Sequence, residues 1–203
     1  MSAEQPQPRR IDDPEVLKGL AQPIRQRLYR LLSQIGPATS GTLAKRVNGD
    51  PGLISYHLRE LARRGFIEDV PELARDRRER WWRTVQGSTT WAWRDFPTPE
   101  GQAVASAVKG QMVADEFARL HRYEQSRESW SEAWQDAATS SDSFLRLTPA
   151  ELEQVSAELL EVLQRWSRHG RQASERIDQS ETADSGESRE HVFLFFHAFP
   201  ERP

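Results

Sequence analysis

The chain has no cysteine. That absence removes thiolate metal sites, disulfide frameworks and thiol redox sensing at the level of ligand chemistry. Long apolar runs are also missing. No stretch approaches the roughly 20 residues of a membrane span, so no membrane partner is expected. The opening MSAEQPQPRR is short, polar and proline-containing, which reads as a flexible tail and not a signal peptide. Catalytic signatures are lacking too: there is no phosphate-cradling glycine loop, no dinucleotide fingerprint after a strand, no nucleophile elbow and no His-Glu-x-x-His. The expectation is a cytoplasmic protein without enzymatic chemistry, cofactor or metal.

What is present is charge, unevenly placed. The formal net charge is −3 over 203 residues. Up to Arg94 there are 17 Lys and Arg against 11 Asp and Glu, a net of +6; beyond it 11 stand against 20, a net of −9. A basic half is thus joined to an acidic half. Attraction to phosphate needs local positive potential, not a positive whole.

The basic half contains the most informative segment, TSGTLAKRVNGDPGLISYHLRELARRG, from Thr39 to Gly65. It reads as two short helices and a tight turn. Thr39 caps the first, with Leu43, Ala44 and Val47 inward. Asp50 caps the second, Pro51 fits its first position, and Gly65 suits the left-handed residue that closes it. Ile54, Leu58 and Leu61 fall on the inner face with His57 beside them, expected as a hydrogen-bonded packing residue and not a base reader. Gly52, Ser55, Tyr56, Arg59 and Arg63 fall on the outer face. That stripe offers close approach, hydroxyls for phosphates and guanidinium groups for phosphates or guanine edges.

Two strand candidates follow, Phe66 to Val70 and Arg80 to Val85, with a polar loop from Pro71 to Glu79 between them. Arg75, Arg77 and Arg78 make this loop basic and Arg80 adjoins it at the start of the strand, as a wing that grips the flanking groove requires. Trp81 and Trp82 lie on the returning strand, so one points inward and one outward.

Leu17 to Leu32, with its Leu-Ala-x-Pro-x-Arg core at Leu20 to Arg25, and Ser55-Tyr56-His57-Leu58-Arg59 with Leu61 and Gly65 resemble the arsenical-repressor (ArsR)-type winged helix-turn-helix regulators. The chain would fall in a larger subgroup without cysteines. The resemblance spans about Pro14 to Val85. It implies a homodimeric regulator that binds double-stranded DNA at an inverted-repeat operator, as a repressor released by an unknown effector. The alternative is a winged-helix protein-interaction module whose basic face meets an acidic partner.

The expected fold class is mainly α with small β elements: a winged helix-turn-helix followed by a helical dimerisation and effector domain with a small sheet. The expected organisation is a flexible tail over 1–12, the DNA-binding domain over 13–94, and the second domain over 95–203. In the second domain a long helix runs from about Pro99 to Ala137, and Phe144-Leu145-Arg146-Leu147 is a short strand. A helix starts at Thr148-Pro149 and ends at Gly170, with Leu152, Val155, Leu159, Leu163 and Trp166 on one face. A mobile linker covers 171–190, and a buried terminal strand covers 191–199. Thr90-Trp91-Ala92-Trp93 alternates as a strand would. Trp91, Trp93, Trp130 and Trp134 are candidates for a pocket holding a small apolar or aromatic effector, against the plainer account that they fill a core. His121 and Glu124 share a helix face, read as a surface pair and not as half a metal site.

Overall fold

The computed structural model describes residues 9–76, 79–85, 89–179 and 189–202. It is mainly helical and divides into two compact units, Met1–Gln125 and Ser126–Pro203.

In the first unit, strand β1 (Arg9–Arg10) pairs in parallel with β5 (Thr89–Thr90). Ile11 follows β1 and is 2% exposed, and its N–H donates to the Thr90 carbonyl at 2.9 Å. The tail expected to be flexible over 1–12 is therefore ordered from Arg9 onward; residues 1–8 lie outside the described residues. One isoleucine among charged neighbours is too small a signal to mark an anchor.

Helix α1 (Pro14–Leu17) is capped by the Asp13 carboxylate, which accepts from the Glu15 N–H at 2.8 Å. A 3₁₀ turn, Lys18–Leu20, leads to α2 (Pro23–Ile35). Two buried polar side chains of α2 satisfy carbonyls at that junction. Arg25 donates to Lys18 O at 2.7 Å and Gln26 to Leu20 O at 2.7 Å. This is the structural content of the Leu-Ala-x-Pro-x-Arg pattern. Carbonyls left over at a helix end need donors when they are buried.

Strand β2 (Ala38–Thr39) precedes α3 (Ser40–Val47), where Thr39 Oγ1 accepts from Thr42 N at 3.2 Å. Asn48, at φ 54°, closes α3 in the left-handed region. Helix α4 (Pro51–Arg63) follows, then β3 (Ile67–Asp69) and β4 (Trp81–Thr84). The three-stranded sheet runs β2-β4-β3, antiparallel throughout, with Ile67 opposite Thr84 and Ala38 opposite Trp82. Trp82 is the inward tryptophan, 3% exposed, while Trp81 is half-buried.

Helix α5 (Pro99–Ser126) completes the first unit. Phe96, Ala105 and Val108 are buried in the same core as Leu28, Leu58 and Phe66. A domain boundary at 94/95 would cut through this core; the compact unit continues to Gln125. Of the alternating Thr90–Trp93 segment only Thr90 is paired, as the end of β5, and Trp93–Asp95 forms a 3₁₀ turn.

The long helix expected to reach Ala137 stops at Ser126. A 3₁₀ turn (Arg127–Ser129) and α6 (Glu132–Ala137) follow. The Ser129 hydroxyl donates to Ser126 O at 2.6 Å, a local bond that competes with the helical ladder.

Helix α7 (Pro149–Gln179) starts with a reciprocal capping box. Thr148 N donates to Glu151 Oε2 at 2.7 Å, and Glu151 N donates to Thr148 Oγ1 at 3.3 Å. It passes through Gly170 and occupies 171–179, a stretch expected as linker. One glycine costs a helix only about 1 kcal/mol, too little to end a run of good helix formers. Residues 180–188 lie outside the described residues.

The expected sheet of the second half is absent among the described residues. Phe144–Leu147 is strandless with Phe144 86% exposed, and 191–199 is strandless with Val192, Leu194 and Phe199 exposed. Apolar composition argues for burial, but two short segments give at most a marginal two-stranded ribbon.

Candidate nucleic-acid interface

Helix α4 is held by its inner face. Ile54, Leu58 and Leu61 are each at most 1% exposed. The Asp50 carboxylate accepts from Leu53 N at 2.8 Å, which leaves the helix N-terminus tied and open to solvent. Gly65, at φ 71°, lets the chain turn into β3. Phe66 then packs edge to face on Tyr29 at 5.9 Å and fixes α4 against α2.

The outer face presents the side chains expected from the spacing. Gly52, Tyr56, Arg59 and Arg63 are exposed and Ser55 is half-buried. Tyr56 is 51% exposed and braced edge to face by the His57 ring at 5.3 Å. Arg59 is exposed, and its guanidinium is anchored by Nε, which donates to Ser55 O at 3.2 Å. Arg63 bonds Glu60 at 2.9 Å, and Arg64 shares the same carboxylate at 2.6 Å. The Arg64 hydrogen bond first, and the Arg63 charge with it, hold the Glu60 carboxyl below its usual range, so it stays ionised and tethers Arg63. Leu53, 54% exposed, stands beside this face. The helical period puts it off the core stripe, but only its exposure marks it as a further candidate for touching DNA.

His57 is buried at 6% exposure, with Arg25 charged nearby. It packs inward as expected, but its Nδ1 has no hydrogen-bond partner among the described residues. Burial first, and the Arg25 charge second, push the imidazole pKa below its ordinary value, which favours the neutral ring.

The wing is a β3–β4 hairpin. Its base is laced by ion pairs, Arg83 to Glu68 at 2.7 Å and Arg80 to Asp69 at 3.3 Å. Arg80 also lies over the Trp82 ring, 5.7 Å from its centroid. In the loop, Arg75 is exposed, and its backbone N–H is held by Glu79 Oε2 at 2.9 Å. Arg77 and Arg78 lie outside the described residues. Two basic residues outside the sequence pattern, Lys45 and Arg46, are exposed in the last turn of α3, just before the turn into α4.

The four tryptophans are divided between the two units. Trp91 packs on the core of the first unit, and Trp93 is 53% exposed in its 3₁₀ turn. Trp130 and Trp134, in the second unit, meet edge to face at 6.4 Å. A cleft of about 470 Å³ opens at the end of α4, lined by Arg9, Glu15, Val16, Ala62, Arg63, Arg64 and Gly65; none of the tryptophans lines it. His121 bonds Gln125 at 3.0 Å. No described helix is long and apolar enough to cross a membrane.

Residues 20–70 match the family described as Helix-turn-helix domain. No curated protein matches the chain. Among solved structures, the AntR antimony-specific transcriptional repressor is 23% identical, covering 52% of this chain and 78% of that one, with a TM-score of 0.33. A possible transcriptional regulator for arsenical resistance is 29% identical over 53% of this chain and 94% of that one, with a TM-score of 0.30. RV1404 from Mycobacterium tuberculosis is 21% identical over 59% of this chain and 71% of that one, with a TM-score of 0.30. Residues 20–70 are a helix-turn-helix domain, and the β3–β4 hairpin, whose first strand closes that span, adds the wing that makes it a winged helix-turn-helix.

Proposed function

We propose that this protein is a sequence-specific, homodimeric transcription regulator that acts as a repressor by occupying an inverted-repeat operator. The observation that carries this is the outer face of α4. It is an exposed stripe of Gly52, Ser55, Tyr56, Arg59 and Arg63 on a helix whose opposite face is locked into the core. Such a helix can enter the major groove without rearranging. Arg59 and Tyr56 would meet base edges, and Ser55 and Arg63 the backbone. Arg75 and Arg80, with Arg77 and Arg78, would grip the flanking groove.

A regulator of this kind works where its DNA is, in the cytoplasm. Release would need an effector that binds one arrangement of the dimer better than another, and Trp93 or the Trp130–Trp134 pair offers an apolar or aromatic ligand a surface. Selection of bound duplexes from a random pool tests the proposal. It should enrich an inverted repeat whose half-sites lie about one helical turn, or a multiple, apart. Equal retention of all duplexes would overturn it.

A further inference from the structure

Helix α7 carries a pattern that DNA binding does not use. Leu152, Val155, Leu159, Val162 and Trp166 recur at alternating spacings of three and four. This is the heptad seam of one helix lying along another. Its centre is open: Leu159 is 40% exposed, Val162 42% and Trp166 57%. Charge along α7 is divided by position. Between Pro149 and Gln164 there are four glutamates, 151, 153, 158 and 161, and no Lys or Arg; Arg165 and Arg168 follow at once.

A helix acidic at one end and basic at the other complements itself when it pairs head to tail. We propose that α7 is a dimerisation helix that packs antiparallel on α7 of a second copy of this chain. This rests on the dimer proposed above and names its surface. Around a two-fold axis crossing the seam, Leu159 meets the second copy's Val162 and Val155 meets its Trp166. The flanking positions then set Glu158 opposite the second copy's Arg165, twice per dimer. A parallel pair would place Glu158 beside Leu163 and leave this charge match unused.

Charge reversal in the full-length protein separates the possibilities. Dimer dissociation is measured by sedimentation, with circular dichroism to confirm retained helix. Glu158→Arg or Arg165→Glu alone sets like charges opposite each other twice and should raise the dissociation constant about tenfold; the double reversal should restore it to within about twofold. Val162→Lys, at the centre of the seam, should raise it on the order of a hundredfold. Unchanged association in Val162→Lys, or no recovery in the double reversal, would overturn the interface while leaving the dimer intact. A wild-type chain that stays monomeric at about 100 μM would overturn both, since stable homodimers associate well below that.

Discussion

At the scale of single residues, the fold depends on close approaches and buried charge. A Cβ on Gly19 would stand 2.6 Å from the buried Phe66 ring and 2.7 Å from Arg64. Gly19→Ala should therefore destabilise the first unit by about 1–3 kcal/mol, read by thermal melting, because the ring has nowhere to go. An unchanged melting temperature would mean that Phe66 moves freely. His57 gives a pH dependence. Its pKa in the fold is lowered, so the unfolded chain takes up the proton first. Stability is full above the ordinary histidine value of about 6.5 and falls as pH drops below it. Glu60 and Asp95, whose pKa values are also lowered, lose their contribution only at more acidic pH, below their ordinary carboxylate values. His57→Gln should flatten the loss that begins below about pH 6.5 and leave the carboxylate limb, measured by denaturation at each pH. The residue scale was legible where chemistry is local. Asp50, Thr39 and Gly65 do at the helix ends what their types dictate. Arg25 and Gln26 were legible only as a pattern; that they satisfy carbonyls of the preceding turn needed coordinates.

At the scale of elements, helices with one buried face were readable and everything relying on distant partners was not. The stripe Ile54, Leu58, Leu61 repeats at the helical period, so α4 followed from the sequence together with its exposed face. Strand β1 depends on Thr89–Thr90, far along the chain, and left no local trace. The terminal segment is the converse case: its composition demands a partner, and among the described residues no strand pairs with it. The wing stands between. Its strands were legible, whereas the ties of Arg80 to Asp69 and Arg83 to Glu68 show that part of its charge is neutralised at the base. Arg75 remains exposed at the loop. Replacing Arg75, Arg77 and Arg78 with Ala should lower affinity for all duplexes alike. The slope of log K against log salt should become shallower by up to about 0.9 for each phosphate no longer neutralised. A slope identical to wild type would show that the loop does not reach DNA.

At the scale of the whole molecule, near-neutrality conceals a division of labour. The basic half is the half with the helix-turn-helix; the acidic half holds the amphipathic α7. The compact unit runs past Arg94, to Gln125, and Phe96, Ala105 and Val108 of this stretch belong to its core. A fragment ending at Gln125 should fold and bind a half-site weakly, and one ending at Arg94 should aggregate, since it lacks these side chains, each contributing roughly 1–3 kcal/mol when buried. If the shorter fragment melts as cooperatively as the longer, the core does not need α5. The central claim is that the exposed face of α4 reads base sequence. It is tested most directly by fluorescence anisotropy of wild type and Arg59→Ala on the selected operator and on duplexes mismatched at one position per half-site. The account predicts a loss of about 1–3 kcal/mol on the operator and a relaxed preference at that position alone. Equal affinity of both proteins for every duplex would contradict it.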